Sequence, residues 1–165
     1  MIGIEASNFS DPFGLCKKGK NGTEDPECRA IIEMLTRLSG AKGISKQAKE
    51  ELEGAISFYE RLEVDLVFHY LPQRAECCDN SDETRRFQGG GSRGHFIWIN
   101  SAMSPADMAL AAWHEAQHAM YGRQAAGQDL IIYQIQAQIY LGLPSQLQAE
   151  AIQTGRLLRH WGYLP

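Results

Sequence analysis

The chain has 165 residues, 44% of them hydrophobic and 22% charged, a length that suits one domain and lets it bury roughly two-thirds of its unfolded surface without a metal or disulfide. Sixteen basic against twenty acidic residues leave a net charge of -4, which counts against a nucleic-acid binder, because such binding leans on many Lys and Arg contacts to phosphate. No run of about twenty apolar residues is there to span a bilayer, and the start M-I-G-I-E-A-S-N-F-S lacks the basic segment and apolar core of a secretory signal.

Residues 1–23 read as loop, with Pro12, Gly14, Gly19, Gly22 and the basic group Lys17, Lys18 and Lys20. A first helix is expected from Asp25 and Pro26, with Ile31, Ile32, Leu35 and Leu38 on one face and Gly40 as its stop. Ser45 caps a second, whose apolar stripe is Ala48, Leu52, Ala55, Ile56, Tyr59 and Leu62. Val64, Leu66, Phe68 and Tyr70 alternate with Glu63, Asp65, Val67 and His69, the two-residue period of a strand. Residues 73–94, with Gly89, Gly90 and Gly91, read as a polar surface loop; no Lys-Ser or Lys-Thr follows the glycines, so the phosphate-binding P-loop pattern is absent. His95 to Asn100 is a second strand. Three helices follow: one from Ser104 and Pro105 to Gly122, with Asp107 completing a capping-box-like start; one over 128–141; and one from Ser145, boxed by Gln148, to about His160. The fold class is α+β, mostly helical with a small sheet, in which an edge strand precedes the Ser104 helix. Trp98 and Trp113 are expected in the core.

Four cysteines, Cys16, Cys28, Cys77 and Cys78, allow two disulfides. Adjacent cysteines rarely bond to each other, so each of Cys77 and Cys78 would reach Cys16 or Cys28; four free thiols are the other reading. Two C-x-x-C pairs, the usual sign of a four-cysteine zinc site, are absent.

The Ser104 helix carries His114-Glu115-Ala116-Gln117-His118. Four residues is slightly more than one turn, so the two imidazoles share a side and can grip one Zn2+ ion. Glu115 stands beside the first ligand and outside the metal shell, where it can take a proton from a water and pass it to a leaving amine. By chance the pattern occurs on the order of once in a hundred such chains, so the capped helix around it decides for a metal site. The segment resembles the H-E-x-x-H of zincin metallopeptidases without departure, and implies zinc-dependent hydrolysis of a protein or peptide. In that class the preceding strand, here His95 to Asn100, is the edge that holds extended substrate.

A catalytic zinc takes a third protein ligand. The metzincin extension is excluded, because Gly122 is one position late and Gln124 is not His. The glutamate-type zincins take a Glu from a following helix, within E-x-x-A-x; the matching segment is Gln134-Ile135-Gln136-Ala137-Gln138. Gln134 is therefore the expected third ligand, although a neutral amide is a poorer one than a carboxylate. Glu150, Asp129 and His160 are the alternatives. His69 and His95 read as structural. Tyr121 and Tyr133 are candidates to hydrogen-bond a developing oxyanion, against core packing.

Asn8-Phe9-Ser10-Asp11-Pro12-Phe13-Gly14-Leu15 resembles the D-P-x-G-L junction that ends the core of Rhs polymorphic toxins, although Ala6 stands where that family often has Pro. The resemblance covers about eight residues. It implies that residues 1–15 are the tail of an upstream Rhs shell, released by self-cleavage, and that 16–165 are a metallopeptidase toxin. It further implies secretion, commonly by the type VI route, action in the cytoplasm of a competing bacterium, and a cognate immunity protein. Three rivals remain: a metal-dependent nuclease toxin, a catalytically decayed binding module, and a hydrolase of peptidoglycan peptides in the periplasm.

Overall fold

The computed structural model describes residues 26–61, 64–78, 83–94, 96–121 and 128–165. The junction at 8–15, Cys16, His95 and Gly122 lie outside the described residues. Helix α1 (Pro26–Ser39) starts on proline and buries Cys28, Ile31, Leu35 and Leu38. Helix α2 (Lys46–Arg61) starts where Ser45 Oγ accepts the Ala48 N–H at 3.1 Å, and it buries Ala48, Leu52, Ala55, Phe58 and Tyr59. Each leucine or isoleucine buried in full contributes about 1.5–3 kcal/mol of hydrophobic free energy.

A three-stranded mixed sheet has the order β1-β3-β2. Strand β1 (Asp65–His69) runs parallel to β3 (Phe96–Asn100), and β2 (Gly90–Arg93) runs antiparallel to it. Two expectations change here. Gly90 to Arg93, expected in a loop, form a strand, and β3 is the central strand, so the sheet edges are β1 and β2, of which β2 lies beside α3. The glycines explain the first: a Cβ on Gly90 would stand 2.7 Å from the Trp98 carbonyl oxygen, and one on Gly91 would strike the Trp98 indole. Low strand propensity is outweighed because only glycine lets the backbones approach this closely. Tyr70, expected on the apolar face, falls just beyond the strand and is 73% exposed.

Asn100, fully buried, anchors the chain on both sides of the sheet. Its Nδ2 donates to the carbonyls of Leu71 and Gln88 at 2.9 and 3.0 Å, and its Oδ1 accepts from the N–H groups of Leu71 and Ala102 at 3.1 and 3.0 Å. Cys77 and Cys78 stand side by side in the segment after β1, and Cys28 Sγ lies 3.8 Å from the Tyr59 carbonyl oxygen. The Cys77 N–H donates to Gln153 Oε1 at 2.6 Å, which holds this segment against the last helix.

Helix α3 (Pro105–Tyr121) is the centre of the molecule and packs on α1, α2, α4 (Gln128–Gly142) and the sheet. Tyr59 Oη donates to the Ala112 carbonyl at 2.7 Å, and Trp113 is fully buried; Trp98 is half-buried. The expected last helix is two, α5 (Ser145–Glu150) and α6 (Ile152–His160), broken at Ala151. The break has a cause outside the segment. Asp107 accepts the N–H groups of Thr154 and Gln153 at 2.8 and 3.2 Å, and Ser104 Oγ donates to the Glu150 carbonyl at 2.8 Å. The start of α3 thus satisfies backbone groups that a continuous helix would pair internally. Gln148, expected to box Ser145, instead donates to the Tyr140 and Leu143 carbonyls at 3.0 and 3.1 Å, near the end of α4. No helix among the described residues is long and apolar enough to cross a membrane.

Candidate metal centre

His114 and His118 lie one turn apart on α3 with ring centroids 5.0 Å apart, and both are buried. Asp129, in the first turn of α4, meets them: its Oδ1 is 2.8 Å from His118 Nε2 and 3.4 Å from His114 Nε2. One ligand atom from each of the three lies within 4.8 Å of the others. Zinc bonds to imidazole nitrogen and carboxylate oxygen are about 2.0–2.2 Å long, so three donors this close can share one ion. The set fits chemically as well, since two imidazoles and a carboxylate are ordinary ligands of a divalent metal.

The orientation of His114 is fixed from behind. Gln136 is 3% exposed; its Nε2 donates to the Leu110 carbonyl at 3.2 Å, which leaves Oε1 to accept from His114 Nδ1 at 3.1 Å. The Nδ1 proton is thereby assigned by the network, and Nε2 faces Asp129. Burial lowers the His114 pKa, but Asp129, Glu115 and Gln136 together outweigh it and hold it above the ordinary 6.5. The hydrogen bond from His114, opposed by partial burial and helped by the charge of His118, holds the Asp129 carboxyl below 3.8.

Glu115 is 8% exposed and faces the sheet edge. A Cβ on Gly90 would lie 3.5 Å from Glu115 Cγ, and the Ser92 side chain hydrogen-bonds the carboxylate. Burial pushes this carboxyl above its ordinary 4.5, against the pull of His114, Ser92 and His118. Tyr133 completes the surroundings, its ring 4.8 Å from that of His114 and stacked on Tyr163 at 5.7 Å. Burial, then the charges of Asp129 and Glu115, push its phenol up to about 12, so it stays a hydrogen-bond donor at neutral pH.

Gln134 does not join this group. It is exposed, and at 100° per residue it lies about 140° around α4 from Asp129, while Asp129, Tyr133 and Gln136 share the face towards α3. The Asp129 alternative is the one that the chain brings to the histidines. Glu150 is occupied at the other end of α3, where it pairs with both terminal nitrogens of Arg37 at 2.8 and 2.6 Å and accepts the Ala106 N–H at 3.0 Å. His160 is exposed on α6, Tyr121 is 61% exposed at the end of α3, and His69 packs edge-on against Trp98 at 5.5 Å. Sequence reasoning passed over Gln136, Gly90 and Ser92. The spacing 129, 133, 136 is an i, i+4, i+7 helical face, and it is the one signal that could have grouped Gln136 with Asp129 and Tyr133. Comparison with protein families, with curated proteins and with solved structures found no match to this chain.

Proposed function

We propose that this chain is a zinc-dependent metallopeptidase that acts as an antibacterial toxin. The observation that carries the reading is the convergence of His114 Nε2 and His118 Nε2 on one oxygen of Asp129, with Glu115 buried next to the pair. His114, His118 and Asp129 would hold the ion. Zinc bound there supplies a Lewis acid that polarises the scissile carbonyl and makes water more acidic. Glu115 takes the proton of the attacking water and hands it to the leaving amine, a role that its raised pKa suits. Tyr133, neutral and beside His114, donates a hydrogen bond to the carbonyl oxygen as it gains charge. Strand β2 lies at the sheet edge alongside Glu115, where an extended peptide can add as a further strand.

The toxin half of the reading is supported by Asp11-Pro12-Phe13-Gly14-Leu15, on its likeness to the Rhs junction. By that likeness residues 1–15 belong to an upstream shell, the freed chain acts in the cytoplasm of a target bacterium, and an immunity protein neutralises it. Expression of the chain in a bacterial cytoplasm tests both halves. Wild type should stop growth, and Glu115→Gln should restore it while the protein keeps its zinc. Full toxicity of Glu115→Gln would overturn the peptidase reading. Toxicity that tracks loss of plasmid or RNA would assign a nuclease instead.

A further inference from the structure

A cavity of about 430 Å³ is lined by His114 and Glu115 and, further towards the start of α3, by Ala111 and Asp107. These positions are one and two turns before Glu115, so the cavity extends about 12 Å from the metal centre at 1.5 Å per residue. Its volume falls within the range of small-ligand clefts.

The chemistry of the walls is lopsided. Phe87, Met103, Ala111, Leu157, Tyr133 and Trp161 present aliphatic and aromatic surface from four parts of the chain. Asp107 brings a carboxylate to the far end, but both oxygens are taken up. Oδ1 accepts from the Thr154 N–H at 2.8 Å and from Thr154 Oγ1 at 2.7 Å. Oδ2 accepts from the Gln153 N–H at 3.2 Å and lies 3.0 Å from Ser104 Oγ. Away from Glu115, a ligand therefore meets a mainly apolar cavity, and the acid at its far end is already satisfied. Between Asp107 and Glu115 on α3, Ala111 lines it with a single methyl group.

We infer that this cavity is a specificity subsite that takes one large apolar side chain, aromatic or of leucine size, from a peptide whose scissile carbonyl lies at His114 and Glu115. The inference rests on the peptidase reading, because only that reading places a backbone carbonyl beside His114 and Glu115. An aromatic side chain buries about 150–250 Å², which a cavity of this size accepts and an alanine side chain leaves largely empty. Arg86 and His160 also line the cavity, so an acidic side chain is the competing occupant.

Two measurements on the full chain separate the subsite from the reaction. In the first, the zinc-loaded protein is given a peptide series with Phe, Leu, Ala or Asp at one position, and cleavage is followed by mass spectrometry. The expected result is cleavage beside Phe or Leu at least tenfold faster than beside Ala or Asp. Ala111→Phe should abolish that preference with zinc content unchanged, and Leu157→Phe serves as the second variant should Ala111→Phe fail to fold. In the second, N-acetyl-phenylalaninamide is titrated while the emission of Trp161, 57% exposed at the cavity wall, is followed, with Trp161→Phe as the blank. Wild type should respond and Ala111→Phe should not. Binding of this probe without cleavage of any peptide would keep the subsite and sink the peptidase. Cleavage without apolar preference, with an Asp preference, or with the preference intact in both filled variants would overturn the subsite and leave the peptidase standing. Failure of both cleavage and probe binding would overturn it as well.

Discussion

Gln136 Oε1 lies 3.1 Å from His114 Nδ1, and the other end of the same amide is held 3.2 Å from the Leu110 carbonyl. One neutral side chain of α4 thus fixes the ring of a histidine of α3 and aims its second nitrogen at Asp129. Residues placed behind a metal ligand in this way are worth about 10–100-fold in metal affinity. Gln136→Leu should lose zinc affinity by about that factor, measured by chelator competition. Gln136→Glu, which keeps an acceptor at the same place, should recover most of it. Equal affinities in wild type and Gln136→Leu would refute the orienting role, and a cobalt-loaded spectrum that does not change would say the same.

Asp129 and Gln134 make opposite forecasts. Asp129→Ala removes a donor from the shared ion and should weaken zinc binding by more than the ~10–100-fold of an outer-shell change. Gln134→Ala should leave affinity within twofold of wild type. Zinc titration of the two variants side by side checks this, and a loss in Gln134→Ala with none in Asp129→Ala would exchange their roles.

The metal-free protein should show its ion pair in a pH profile. A histidine held above its ordinary value stabilises the fold below that value and loses the contribution as pH rises through the folded one. A carboxyl held below its ordinary value does the reverse. The His114–Asp129 contribution is therefore full between the ordinary values of 3.8 and 6.5, fades as pH falls below 3.8, and fades again as pH rises above 6.5. His118, Glu115, Tyr133 and Gln136 face the same pair, so the measurement is a difference. The Tm of wild type minus that of Asp129→Asn should be largest inside the window. A difference that is flat with pH would count against the pair.

Asp107 should be a costly polar residue to remove. It accepts the N–H groups of Gln153 and Thr154 and the Thr154 hydroxyl at the start of α6, and its own N–H donates to Ser104 Oγ at 3.1 Å, all within the core. Lost caps cost about 1 kcal/mol each and orphaned buried donors about 1–3 kcal/mol. Asp107→Ala should thus lose about 2–4 kcal/mol of unfolding free energy in urea titration. A loss below 0.5 kcal/mol would mean that the α3–α6 junction is not held this way.

What could be read from the sequence was what short-range physics decides. Pro26, Ser45 and Ser104 mark helix starts through local caps, and the one-turn spacing of His114 and His118 puts them together without reference to the rest of the chain. The features that escaped are decided at long range. The break at Ala151 depends on Ser104 and Asp107, more than forty residues away. Strand β2 depends on Trp98, which requires glycine at 90 and 91, and its place at the sheet edge follows from strand order, which periodicity does not encode. The third group of the metal centre depends on which face of α4 meets α3. A register borrowed from another motif pointed to Gln134, whereas the helical face of Asp129, Tyr133 and Gln136 is the one that packs.

The most direct test of the central claim is the rate of peptide hydrolysis by the zinc-loaded wild type beside Glu115→Gln at equal zinc content. The account predicts one zinc per chain in both and a rate in the variant lower by about 10²–10⁴-fold, the usual contribution of a general acid–base group. Equal rates in the two proteins, or a wild type that binds no zinc, would contradict it.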